Sequence, residues 1–173
     1  MFPLRLLAIG MVMVVVDVNL FGFDLLVDPI GWLLIVQGLS ALVEPHPSFR
    51  WARWGALVAL VMSILLLVDL GDLVTIAANV LSILATTAFV WFTCDGLIHT
   101  LGESEAPSTV SNLVRWGFLA STALTLIGLG VGANSAAFLP IVIIGGLALN
   151  LILAVTCWML APRPQFATTP AQP

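Results

Sequence analysis

Five arginines, Arg5, Arg50, Arg53, Arg115 and Arg163, supply every basic charge of a chain that contains no lysine. They punctuate long apolar runs so that, when the runs are threaded back and forth across a bilayer, every arginine falls on one side. Arginine close to the end of a span is retained on the cytoplasmic face, whereas acidic residues have little influence. The expected fold is therefore an all-α membrane protein of six transmembrane helices, arranged as three antiparallel hairpins with both termini cytoplasmic. Five of the tryptophans, Trp51, Trp54, Trp91, Trp116 and Trp158, fall at the same predicted interface, as an aromatic belt requires.

Composition agrees with that class. Of 173 residues, 61% are hydrophobic and 8% charged, and the mean hydropathy is +1.16. That is more apolar surface than a soluble domain of this size can hide. Six spans of about 20 residues use roughly 120 positions. One transmembrane domain over residues 1–160 is expected, with nothing left for a soluble catalytic domain. The net charge of −4 and the lack of a basic run argue against nucleic acid as a partner.

The runs place spans near Leu4–Val18, Pro29–Val43, Trp54–Leu70, Leu73–Cys94, Leu113–Val131 and Pro140–Leu160. Arg5 before the run Leu6–Val16 imitates a secretion signal, but Asp17, Val18 and Asn19 follow where a small-residue cleavage site belongs, so a retained first span is expected. The connector Leu20–Val27 is too apolar for a water-exposed loop and is expected in the interface or dipping back into the bundle, carrying Asp24 with it. Asp28 before Pro29, and Asp72 after Gly71, read as helix starts with the carboxylate as cap. Residues 161–173, with Pro162, Pro164, Pro170 and Pro173, read as a disordered cytoplasmic tail. Cys94 and Cys157 lie near the inner ends of the fourth and sixth spans, on the reducing side, where a disulfide is not expected. A faint repeat pairs Arg53-Trp54-Gly55 with Arg115-Trp116-Gly117, and Thr93-Cys94 with Thr156-Cys157. Duplicated hairpins and chance interfacial Arg-Trp pairs both account for it.

Three groups of residues could carry chemistry. Asp17, Asp24, Asp28, Asp69 and Asp72 all fall on the outer face, which has no basic residue under this topology. If they converge, mutual repulsion calls for a proton or an oxygen-seeking cation; singly, they read as caps and solvated turn residues. The second group is a polar stripe on the fourth span, where Thr75, Asn79, Ser82, Thr86 and Thr93 stand at offsets 0, 4, 7, 11 and 18 on one helical face. Asn150 on the sixth span is its expected counterpart, and Ser121, Thr125 and Gly128 add small or polar positions on the fifth. Helix packing through small and hydrogen-bonding residues explains such a stripe as well as a solute path does. The third group is Asp95, His99 and Glu103, recurring every fourth residue past the fourth span, with His46 between Pro45 and Pro47. Imidazole and carboxylate suit a transition metal, although a solvated helix end is the plainer reading.

Gly22-Phe23-Asp24-Leu25-Leu26-Val27-Asp28-Pro29-Ile30-Gly31-Trp32 resembles a motif of small multi-spanning bacterial membrane proteins that place an aspartate after Gly-Phe and an acidic residue shortly before Ile-Gly-Trp. His46-Pro47-Ser48-Phe49-Arg50 is similar to the loop after their second span. The likeness covers about the first 50 residues and departs at Asp28-Pro29, where those proteins have proline before the acid. It implies a bacterial inner-membrane location and brings no activity, cofactor or site residues with it.

No helical His-Glu-x-x-His, phosphate-binding loop with its lysine or Gly-x-Ser-x-Gly elbow is present, and the membrane serines have no evident basic partner. A non-enzymatic protein without a cofactor is expected. The leading expectation is a cation- or proton-binding small transporter or transporter accessory subunit. The alternative is a structural or assembly partner of another membrane protein, with lipid, a membrane-protein neighbour or a second copy as contacts.

Overall fold

The structure, a computed structural model, describes residues 3–15, 27–42, 46–67, 71–102, 105–130 and 138–166. All regular structure among them is helical: α1 (Pro3–Val15), α2 (Val27–Ser40), α3 (Ser48–Leu65), α4 (Asp72–Leu101), α5 (Ala106–Gly130) and α6 (Phe138–Leu160), followed by a single 3-10 turn at Pro164–Phe166. Three of these, α3, α4 and α5, are long and apolar enough to cross a membrane.

Each helix packs on its neighbours in sequence, and α6 packs back on α1, so the six form a closed ring. A chain of contacts gathers alternate helix ends at one end of this ring. Gly38 of α2 lies against Pro3 of α1, and the Arg5 guanidinium sits 5.3 Å above the Trp158 ring of α6. Arg163 pairs with Glu105 just before α5, Arg115 of α5 pairs with Asp95 of α4, and Ser48 at the start of α3 hydrogen-bonds the same carboxylate. All five arginines therefore belong to this end, with Arg50 and Arg53 in the first two turns of α3. Trp51, Trp54, Trp116 and Trp158 stand exposed around it.

The core runs from the arginine end along α1 to α4 as far as Trp32, near the start of α2. Leu7, Met11, Ile35, Leu39, Phe49, Phe89, Leu97, Leu153 and Phe166 are all fully buried in one cluster. Close approach there depends on glycine. A Cβ on Gly10 would lie 2.5 Å from the Gly31 carbonyl oxygen, and one on Gly96 would meet the Phe49 ring at 2.7 Å. With no Cβ, α1 meets α2 backbone to backbone and the tip of the Phe49 ring reaches the backbone of α4 at Gly96.

Several boundaries differ from the sequence reading. Helix α4 runs seven residues past Cys94 and α5 begins seven residues before Leu113. Hydropathy sees only the greasy stretch, whereas the helical hydrogen-bond ladder continues through polar residues. At about 1.5 Å per residue the 30 residues of α4 extend roughly 45 Å, well beyond a hydrocarbon core of about 30 Å. Asp72 is not the cap of α4: it is the first helical residue, and Gly71 caps with φ 85°. Gly102 closes the same helix with φ 88°, a backbone region that side chains disfavour. Asp72 still complements the positive helix end from within the first turn. Asp28 likewise lies inside the first turn of α2, which starts at Val27. Order extends beyond the expected start of a disordered tail at Ala161: Ala161 and Phe166 are buried in the core, anchored by Arg163 on Glu105. Residues 167–173, the remainder of that tail, and residues 20–26 of the apolar connector lie outside the described residues.

Candidate functional site

At the opposite end the helices part, and a cavity of about 680 Å³ opens between α4, α5 and α6. Asn79, Ser82 and Thr86 of α4 face Ser121, Thr122 and Thr125 of α5 and Asn150 of α6 across it. The walls between them are apolar, from Ile76, Val80, Ile83, Phe118 and Leu147. No ionisable side chain lines it among the described residues. Four of the five residues expected to form the polar face, Asn79, Ser82, Thr86 and Asn150, are thus brought to one space. Thr75 is not: its hydroxyl donates to the Gly71 carbonyl at 3.1 Å and serves the start of α4. Thr93 shares the helical face but is completely buried at the packed end.

The hydrogen bonds leave capacity inside the cavity. Asn79 Nδ2 donates to the Thr75 carbonyl at 2.9 Å and Asn150 Nδ2 to the Gly146 carbonyl at 3.2 Å. Each carboxamide thereby spends one N–H on its own helix and retains an oxygen and a second N–H. The Thr125 hydroxyl donates to the Ser121 carbonyl and keeps its lone pairs. A few convergent donors and acceptors set in apolar walls, in a space of this size, is the usual make-up of a small-molecule site.

One cross-helix bond holds the α4–α5 wall. Thr87 Oγ1 lies 2.8 Å from Thr122 Oγ1 and donates its own proton to the Ile83 carbonyl, so Thr122 is the donor of the pair. Neither threonine stood out in the sequence. Thr87 is adjacent to the stripe but about 100° off it, and Thr122 follows Ser121 out of the small-residue spacing. The only available signal was the Thr86-Thr87 doublet, which puts one hydroxyl on each side of a helix edge.

The acidic group does not assemble among the described residues. Asp17, Asp24 and Asp69 lie outside them. Asp72 is exposed at the start of α4, and Asp28 is half-buried in the first turn of α2.

The third group does come together, apart from Glu103, which lies outside the described residues. His46, Asp95 and His99 each offer a ligand atom within 4.8 Å of the other two. The two imidazoles stack with centroids 4.7 Å apart and planes 14° apart. Asp95 also accepts Ser48 Oγ at 2.6 Å and Arg115 at 3.2 Å, while the Arg115 guanidinium lies 4.6 Å from the Trp91 ring centroid. Cys94 and Cys157 are free and buried. The two glycines of the Arg-Trp-Gly repeat differ in their surroundings: Gly55 abuts the backbone of α4 at Ala85 and Phe89, and Gly117 meets only the Leu149 side chain of α6. No protein-family model, curated protein or solved structure matches the chain.

Proposed function

We propose that this chain is a six-span, three-hairpin protein of the bacterial inner membrane, termini cytoplasmic, that binds a small uncharged hydrogen-bonding solute between α4, α5 and α6. It works as a small carrier or as the solute-holding subunit of one, without catalysing a reaction. The observation that carries this reading is the meeting of Asn79, Ser82 and Thr86 with the hydroxyls of α5 and with Asn150 across one cavity. A stripe that served only packing would be closed against a neighbouring helix, since small and polar faces normally draw helices together. Here it borders open volume instead. The apolar walls and the uncharged lining favour a neutral solute over a naked ion, whose desolvation needs compensating charge.

The decisive experiment is flux in proteoliposomes. The wild type and an Asn79→Leu, Asn150→Leu variant would be loaded into vesicles and tested by stopped-flow light scattering against a panel of neutral polyols, amides and sugars. A solute that permeates faster through wild-type vesicles than through the variant supports the proposal. Equal permeability across the panel overturns it.

A cation or proton site at Asp24 and Asp28 is a second reading, supported by the all-acidic outer face in the sequence and by the half-burial of Asp28. Thermal stability across a series of cations and pH values separates the two. A saturable stabilisation lost in Asp24→Asn, Asp28→Asn favours the ion, because a ligand specific to the folded state stabilises by RT ln(1 + [L]/Kd). The assembly-partner alternative predicts that a bulky residue at Ser121 or Thr125 abolishes co-purification with one reproducible neighbour.

A further inference from the structure

We propose that His46, Asp95 and His99 bind a divalent transition-metal ion of the Zn2+ class where α3 begins and α4 ends. Asp95 lies nine residues along α4, or roughly 14 Å, beyond Thr86, the nearest α4 residue of the solute cavity. Two imidazoles and one carboxylate suit zinc, nickel or copper. Three protein ligands leave a coordination position for water, and exposed His99 provides the access. Ligands around a tetrahedral ion at about 2.1 Å stand about 3.4 Å from one another. Donor atoms already within 4.8 Å bring the three groups within reach of one ion, and because the in-plane lone pairs of stacked imidazoles do not converge, exposed His99 turns out of the stack to bind.

The hydrogen bonds prepare the ligands. His99 Nδ1 lies 2.9 Å from the Asp95 carbonyl, which only accepts, and 3.7 Å from Asp95 Oδ1, so Nδ1 carries the proton in the metal-free state; a metal takes the Nε2 lone pair once the ring has turned, or Nδ1 by displacing that proton. His46 Nδ1 accepts the Ser48 amide at 3.2 Å, and metal binding exchanges that long hydrogen bond for a metal–nitrogen bond. Ser48 Oγ and Arg115 orient the two oxygens of Asp95, each of which keeps a further lone pair. The Arg115 charge opposes a cation, but it also faces Asn112 Oδ1 at 2.9 Å and the Trp91 ring, and its effect is to moderate the affinity. A solvated helix end explains Asp95 and His99, one turn apart. It does not explain His46, which comes from 53 residues away and lies flat on the His99 ring.

The test uses the full chain in nanodiscs, purified without a polyhistidine tag. Zn2+ titration calorimetry should find one saturable site per chain, weakened at least about tenfold by His99→Gln and by Asp95→Asn. With Cu2+, electron paramagnetic resonance should show two nitrogen ligands in the wild type and one in His46→Gln. His99 is exposed, so His99→Gln keeps its circular dichroism and metal-free unfolding temperature and carries the test even if His46→Gln does not fold. The proposal is overturned if the wild type shows no saturable binding up to millimolar metal. It is equally overturned if His99→Gln binds as tightly as wild type, or if the copper spectrum shows no nitrogen coupling.

Discussion

The two ends of this helical ring use the same kinds of apolar residue to opposite effect. At the arginine end, Leu97 and Phe49 are fully enclosed, glycines bring backbones together, and ion pairs and arginine-tryptophan contacts rim the core. At the other end the space between α4, α5 and α6 is a cavity instead of a core, while apolar side chains stand outward at both ends, Leu73 81% and Leu113 70% exposed. In water such exposure would be untenable, but in the proposed membrane setting lipid solvates leucine as well as protein does. Packing there is governed by shape and hydrogen bonding. The contrast is between an end packed rigidly and an end that leaves volume between its helices.

The largest expected effect would come from emptying the rigid end. Phe49→Ala removes a fully buried ring beneath Gly96 and should destabilise by about 3 kcal/mol, the low end for such a change because lipid weakens the transfer part. Equilibrium unfolding in mixed micelles would measure it, and a loss as small as that of an exposed-leucine variant would erase the contrast. Overfilling the core comes next. Gly10→Val drives a side chain into the Gly31 carbonyl and should cost about 1–3 kcal/mol. Gly145→Val, with nothing within 4 Å of its Cβ, should leave stability unchanged apart from a small effect of side-chain branching. Asp95→Ala removes the acceptor of Ser48 and Arg115 and should cost about 1–2 kcal/mol. Arg163→Ala breaks a pair more than a third exposed on both sides, and its loss should stay below about 1 kcal/mol by the same unfolding assay. The smallest change in stability, close to zero, is expected for Asn79→Leu with Asn150→Leu, the variant that should lose most in solute flux.

Much of the site was legible residue by residue. Asn79, Ser82 and Thr86 declare a common helical face by their spacing, and Asn150 stands out as the amide in an apolar run. Periodicity is a local property, and so is the helix that produces it. Thr122 and Thr87 were not legible as a pair, because nothing local tells which threonines of different helices meet. The same reason separates His46 from His99: the first looks like a proline-flanked loop residue and the second like a solvated helix end.

From the order of its residues alone, the chain determined that it is helical and apolar, which helix faces are polar, and that its arginines and tryptophans recur at alternate helix ends. Those are consequences of local hydrogen bonding, side-chain period and charge. Tertiary structure alone decided that α6 closes the ring on α1 and which apolar faces share one core. It also decided that Phe166 is drawn inside, that a polar stripe borders a cavity, and that two histidines stack. Those outcomes depend on side chains distant in sequence filling or leaving a shared volume, and no run of neighbouring residues contains that information.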